Sequence, residues 1–263
     1  MAKISIIGLG WLGEPLAISL KKQGHSVAGS TTTLAKIHHF RALDLPVVYL
    51  KITATGIEGS VAPLLKNIDV LVVAIPPKLR GDKKENYVAK IALLQKEIEQ
   101  YKVPKVIFVS STSVYGDAQG EVTEQTTPQP DTESGKQLWE TEQLLKQKNT
   151  TIIRFGGLIG ADRNPIKMLS GRANVAKPNA VVNLIHQEDC IAIISKIIAT
   201  NTYGITLNAV NPSHPSRKAY YFAKAKENNL PEPLFNEIET QLGKQVDSVF
   251  SDFYEGIVFK SLL

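Results

Sequence analysis

Gly8, Gly10 and Gly13 recur in the spacing G-x-G-x-x-G, between the apolar run Lys3 to Ile7 and an apolar-periodic stretch reaching about Gln23. Strand, glycine turn, helix is the arrangement that receives a dinucleotide. The first two glycines allow a tight turn and close approach of the backbone to a pyrophosphate, and the third lets helix and strand pack together. The phosphates then rest on unpaired N–H groups at the positive end of the helix dipole. Gly8, Leu9, Gly10, Trp11, Leu12 and Gly13 are therefore expected to bind a cofactor.

The elements that must hold such a turn are legible along the first half of the chain. Ser26 to Gly29, Val47 to Leu50, Val70 to Ala74, Val106 to Val109 and Ile152 to Phe155 read as short strands, with helical segments at Glu85 to Tyr101 and Ser134 to Gln147. Continuous β-branched runs imply strands buried on both faces, hence a parallel sheet covered by helices on each side. The expected fold is α/β, a Rossmann-type doubly wound sheet. Residues 1–155, with 183–210 returning to it, would form the dinucleotide-binding core, and 156–182 with 211–263 a small substrate-binding lobe. Ligands in such sheets lie beyond the carboxyl ends of the strands, which adds Ala74, Ile75, Pro76 and Ser110 to the expected cofactor contacts.

The run Ser110-Ser111-Thr112-Ser113-Val114-Tyr115-Gly116 resembles the extended short-chain dehydrogenase/reductases, the family of NAD-dependent epimerases and dehydratases. The resemblance continues through SGKQLWETEQLL, through Ile152 to Gly160 and through Val182 to Asp189. It implies that Ser111 is the hydroxyl that bonds the reacting oxygen, and that Tyr115 stands at the pocket wall. These two are the candidate catalytic residues; as a turn hydroxyl, Ser111 would equally cap the chain after its strand. Tyr87 and His186 are further acid/base candidates, with packing the better reading for Tyr87 and a packed or rim position for His186. Arg163, Asn183 and His186 are the expected substrate contacts.

The same alignment exposes departures from the family. With Gly135 and Glu142-Gln143-Leu144-Leu145 on the family's Y-G-x-S-K-x-x-x-E-Q-L-L, Ser134 falls at the tyrosine and Leu138 at the lysine. A register pairing Thr132 with Lys136 would keep a lysine but lose the flanking matches. Serine is a much weaker acid than a phenol, and loss of a positioned acid/base removes about 10² to 10⁴ in rate. The chain thus resembles an atypical member lacking the Tyr-x-x-x-Lys pair. GLGWLG also looks like the opening of hydroxyacid and prephenate dehydrogenases, whose largely helical second domain does not fit the SSTSVYG segment.

The second strand runs into Ser30, Thr31 and Thr32 without the carboxylate that selects NAD, so NADP is expected over NAD, with Lys36 nearby. Two functions follow. One is an NAD(P)-dependent oxidoreductase or epimerase-like enzyme on a small molecule such as a sugar derivative, with a non-standard site; the other is a dinucleotide-binding sensor or regulatory or interaction protein without turnover. A formal charge of +5 over 263 residues, with the basic residues scattered, argues against nucleic acid as a partner. A single cysteine, Cys190, excludes an internal disulfide and argues against a cysteine metal site. The absence of a leader or an apolar run of about 20 residues leads to the expectation of a cytoplasmic protein, monomer or homodimer, with no membrane partner. The polar stretch Gly116 to Thr132 is expected either as a lid or as an ordered connection.

Overall fold

The computed structural model describes residues 1–77, 85–160 and 162–263. In chain order the elements are β1 (Lys3–Ile7), α1 (Gly13–Lys22), β2 (Ser26–Thr31), α2 (Lys36–Ala42), β3 (Val47–Ile52), β4 (Ile57–Gly59), α3 (Ala62–Leu65) and β5 (Val70–Val73). There follow α4 (Tyr87–Gln100), β6 (Val106–Ser111), β7 (Glu121–Val122), α5 (Glu133–Leu145), β8 (Thr150–Phe155), β9 (Gly157–Ile159) and α6 (Ile166–Leu169). The last are β10 (Leu184–His186), α7 (Gln187–Thr200), β11 (Thr206–Ala209), α8 (Arg217–Glu227), β12 (Gln245–Val246) and α9 (Ser251–Tyr254).

Helix starts follow side-chain chemistry. Asn86, Thr132 and Ser216 each accept a bond from the backbone N–H three residues on, satisfying a donor that the helix itself leaves unpaired. The Thr132 cap sets the start of α5 at Glu133, one residue earlier than the sequence pattern predicts.

The sheet runs β11-β8-β6-β5-β1-β2-β3-β4, parallel throughout except for the antiparallel β3 and β4. From β1 the chain winds outward through β2 and β3 on one side and β5 and β6 on the other, so the order reverses between β1 and β5. That reversal opens a crevice at the strands' carboxyl ends.

Side-chain alternation along each strand divides the core between the two faces. Ile4, Ile6, Val70 and Val72 join Leu16, Ala17, Leu20 and the α7 residues Cys190, Ile193 and Ile197. Ile7, Leu71 and Val73 join Leu94, Ile98, Leu138 and Leu145 from α4 and α5 on the other face. Cys190 is fully buried, and that burial pushes its thiol well above the ordinary range, as fits a small core hydrophobe.

A third apolar cluster, with Ile159, Ile166, Val182, Tyr220 and Leu262, lies among segments outside the main sheet. There β9 pairs with β10 and β12 with β7. The 116–132 stretch is an ordered connection. Gln119 accepts bonds from the amides of Gly116 (2.9 Å) and Gln129 (3.0 Å), and Asp131 from that of Asp117 (2.8 Å).

Candidate functional site

At the end of β1 the three glycines have three different environments. Gly8 adopts φ +107°, and a Cβ there would stand 2.8 Å from the Ala74 carbonyl oxygen, so the ends of β1 and β5 meet without room for a side chain. At Gly13 a Cβ would lie 2.2 Å from the Gly8 carbonyl oxygen, which fixes helix α1 tightly on the turn. Gly10 is exposed and has nothing within 4 Å of its Cβ position. The two flanking glycines are demanded by the protein, whereas the middle one leaves open space over a helix N-terminus. Among the described residues, the amides of Trp11, Leu12 and Gly13 have no protein acceptor. A pyrophosphate fits this arrangement of donors and space.

The turn is secured from β2. The Leu9 amide donates to the Ser30 carbonyl (2.8 Å) and the Gly8 amide to Ser30 Oγ (3.2 Å), with Ser30 only 2% exposed. Thr31, also buried, accepts from the Thr33 amide (3.2 Å). Thr32 is the exposed one of the three, followed by the exposed Lys36. Leu9 and Leu12 are buried beside the turn, Leu9 over Gly29.

Ala74 continues the ladder to Ile7 through a 2.9 Å bond. The Ile75 carbonyl accepts from Tyr87 Oη (2.7 Å), and the Tyr87 amide donates to Gln137 (2.7 Å), tying the β5 end to α4 and α5. Tyr87 is fully buried, burial raises its hydroxyl far above the ordinary value, and it serves packing. Pro76 is exposed beside it.

Tyr115 requires a correction. It is 0% exposed, and its hydroxyl lies between the Thr123 carbonyl (2.7 Å), Asn208 Oδ1 (3.1 Å) and Arg154 Nη1 (2.6 Å). Burial raises its pKa, opposed by Arg154 and Asn208. A phenol enclosed in this way reaches no substrate. It belongs to a buried network in which Arg154 Nη2 meets Glu142 Oε2 at 2.6 Å and Ser110 Oγ donates to Glu142 Oε1 at 2.6 Å. The Ser110 hydroxyl is thereby turned into the core rather than toward the crevice.

Ser111 is half-buried, and its Oγ accepts from the Ser113 amide at 3.1 Å, capping the short turn after β6, while among the described residues its own proton has no acceptor. Gly135 abuts that turn; a Cβ on it would come 2.1 Å from the Ser113 carbonyl oxygen. This contact brings the first turn of α5 to the end of β6. Ser134 there is half-buried, Leu138 is 2% exposed within the core, and Lys136 faces solvent.

The expected substrate contacts separate. Asn183 holds the main chain of the C-terminal segment, donating to the Lys244 carbonyl (2.8 Å) and accepting from the Val246 amide (2.9 Å). His186 caps α7, its Nδ1 accepting from the Glu188 amide at 3.2 Å. Arg163 is exposed, its guanidinium 4.7 Å from the centre of the Trp11 ring. One residue goes unnoticed in the sequence. Lys244 donates to the Tyr115 carbonyl, with Asp117 Oδ1 at 3.9 Å, and burial lowers its pKa against the pull of Asp117 and Asp131. Only the β7–β12 pairing brings it there, and no local pattern announces such a pairing.

Among the described residues no three His, Cys, Asp or Glu side chains are placed to hold a metal, and no helix is long and apolar enough to cross a membrane.

A parallel sheet reversing at β1, with a glycine turn at its carboxyl end and the segment Ser110 to Gly116 beside it, defines a Rossmann-type α/β fold. Residues 3–127 match the model of the NAD binding domain of 6-phosphogluconate dehydrogenase. The chain is 35% identical to Protein YeeZ of Escherichia coli (strain K12) over 252 residues, 94% of this chain and 92% of that protein, and it belongs to the same family. Among solved structures, UDP-glucuronic acid 4-epimerase from Bacillus cereus in complex with NAD superposes with a TM-score of 0.76 at 18% identity, over 96% of this chain and 89% of the other. A functionally unknown conserved protein from Silicibacter pomeroyi superposes with a TM-score of 0.76 at 21% identity, over 97% and 92% of the two chains.

Proposed function

We propose that the chain is an NAD(P)-dependent oxidoreductase or epimerase-like enzyme acting on a small, sugar-related molecule through a non-standard site. The observation that carries this reading is Gly10, whose Cβ position is open while those of Gly8 and Gly13 are blocked by backbone. A glycine that the fold itself does not require, at a helix N-terminus with unspent amides, is accounted for by a phosphate-bearing ligand. The NAD-bound epimerase of like fold supports both the cofactor and the substrate class.

Gly8 to Gly13 would hold the pyrophosphate, and Ala74 to Pro76 the edge of the crevice. Thr32 and Lys36 stand where a carboxylate would otherwise select NAD, so we read the cofactor as NADP. When bound, the nicotinamide supplies a hydride donor or acceptor. Ser111, with its hydroxyl proton available at the end of β6, orients the reacting oxygen, and residues 156–182 and 211–263 form the substrate lobe.

The second reading is a dinucleotide binder without turnover. The specific observation that favours it is the pair of core positions at the would-be acid/base centre, Leu138 on α5 and the enclosed Tyr115.

Calorimetric titration of NADPH and NADH into wild type and Gly10→Val tests the cofactor assignment. Wild type is expected to bind and the valine variant to lose at least about tenfold in affinity without loss of thermal stability, because the Cβ enters ligand space alone. Equal binding by both proteins, or none by wild type, would overturn it.

A further inference from the structure

Trp11 follows Gly10 in the turn, and its side chain is met from the second half of the chain at several points. The indole N–H donates to Asp162 Oδ1 at 2.7 Å. The Arg163 guanidinium lies over the same ring at 4.7 Å from its centre. A Cβ on Gly160 would come 2.9 Å from Trp11 Cζ2, so the chain passes the ring where only glycine fits. Gly160 and Arg163 exchange two backbone bonds (3.2 and 3.0 Å), and Asp162 and Arg163 meet one aromatic ring. Gln187 Nε2, from the first turn of α7, donates to the Trp11 carbonyl at 2.6 Å.

The charges at this contact are unevenly used. Asp162 is bonded to the indole edge. Arg163 makes no hydrogen bond or ion pair among the described residues through its guanidinium, which leaves five donors unspent beside the glycine turn. Residues 8–13 carry no formal charge of their own, so the turn supplies only partial positive charge to a dianionic pyrophosphate. A guanidinium supplies full charge and two parallel donors to phosphate oxygens, and a ring beneath it fixes its position at small entropic cost.

We propose that Arg163 is a binding residue for the cofactor pyrophosphate, held at the glycine turn by its place over the Trp11 ring. This rests on the dinucleotide reading above and moves Arg163 from the substrate to the cofactor. The second half of the chain then grips the cofactor phosphates directly, with Trp11 joining the two sides.

The test is calorimetric titration of NADPH into wild type, Arg163→Ala, Arg163→Lys and Trp11→Phe, at low and high salt, with melting curves to verify folding. Arg163→Ala is expected to weaken NADPH binding at least about tenfold at low salt, with the gap from wild type narrowing at high salt because a charge contact is screened. Arg163→Lys recovers part of the loss, as a cation without the fork. Trp11→Phe, which keeps a ring but releases Asp162, falls between wild type and Arg163→Ala. If wild type binds and Arg163→Ala binds within about twofold of it, or if the gap does not change with salt, this assignment falls while the dinucleotide reading stands. If wild type binds no dinucleotide, both fall.

Discussion

The ends of β1 and β6 open on the same crevice and treat their polar groups in opposite ways. At β1, Gly8 and Gly13 are packed against backbone so that Gly10 and the amides after it stay uncovered. At β6, Ser110 and Tyr115 are drawn into a buried network with Glu142, Arg154 and Asn208, and α5 turns Leu138 into the core. One end keeps its hydrogen-bonding capacity for a ligand and the other spends it on stability. The contrast teaches that polar residues at the ends of neighbouring strands can serve different ends, some left uncovered and others packed into the core.

The largest expected effect breaks the β6 side of this comparison. Arg154 and Glu142 are 4% and 1% exposed, and removing one partner leaves a buried charge uncompensated. Arg154→Met should therefore lower unfolding free energy by about 3–5 kcal/mol in urea denaturation. A loss below about 1 kcal/mol would mean the network contributes little to the core.

Next is Gly13→Ala. A methyl group 2.2 Å from the Gly8 carbonyl oxygen cannot be accommodated unless helix α1 or the turn moves. Overpacking of this kind costs about 1–3 kcal/mol, seen as a lowered melting temperature. Together with Gly10→Val, which should bind poorly yet melt normally, it separates the glycine serving the fold from the one serving the ligand. Loss of stability in both variants would erase that distinction.

These contrasts also mark how far the sequence could be read. The glycine turn was legible because most of its demands are local: a strand, a positive φ, a helix and the close approach of Gly13 to Gly8 fall within a few residues, and only the contact of Gly8 with Ala74 comes from afar. The doubly wound sheet was legible for a similar reason, since strands such as Val70–Val73 are apolar at every position and must be buried on both faces. Tyr115 was not, because its partners Arg154 and Asn208 arrive from β8 and β11, and nothing within SSTSVYG shows which way the ring turns. Asn183 looked available and proved to be bound by both its amide groups to the main chain at Lys244 and Val246, a pairing set by tertiary structure.

Cofactor choice gives a smaller effect on the β1 side. Ser30 supports Gly8 from within the fold, so a carboxylate there would disturb the turn; Thr32 is exposed and is the better probe. Thr32→Asp should shift the ratio of NADPH to NADH affinities toward NADH by about tenfold, close to 1.4 kcal/mol, since the new charge repels a 2′-phosphate. An unchanged ratio in competitive titration would place the adenosine ribose elsewhere.

The smallest effect is expected at Ser134. If it has no acid/base role, Ser134→Ala should leave NADPH affinity unchanged and alter stability by less than about 0.5 kcal/mol. A large change in either would show that the half-buried hydroxyl does more than fill the first turn of α5.

That an intact cofactor cradle faces an α5 offering neither tyrosine nor lysine to the nicotinamide is tested most directly by a crystal structure of the NADPH complex. The pyrophosphate should lie over Gly10 within hydrogen-bond distance of the Trp11 and Leu12 amides. Leu138 should stay in the core and Lys136 should point to solvent, so that no α5 side chain bonds the nicotinamide ribose. A pyrophosphate bound away from Gly10, or a ribose held by Lys136, would contradict it.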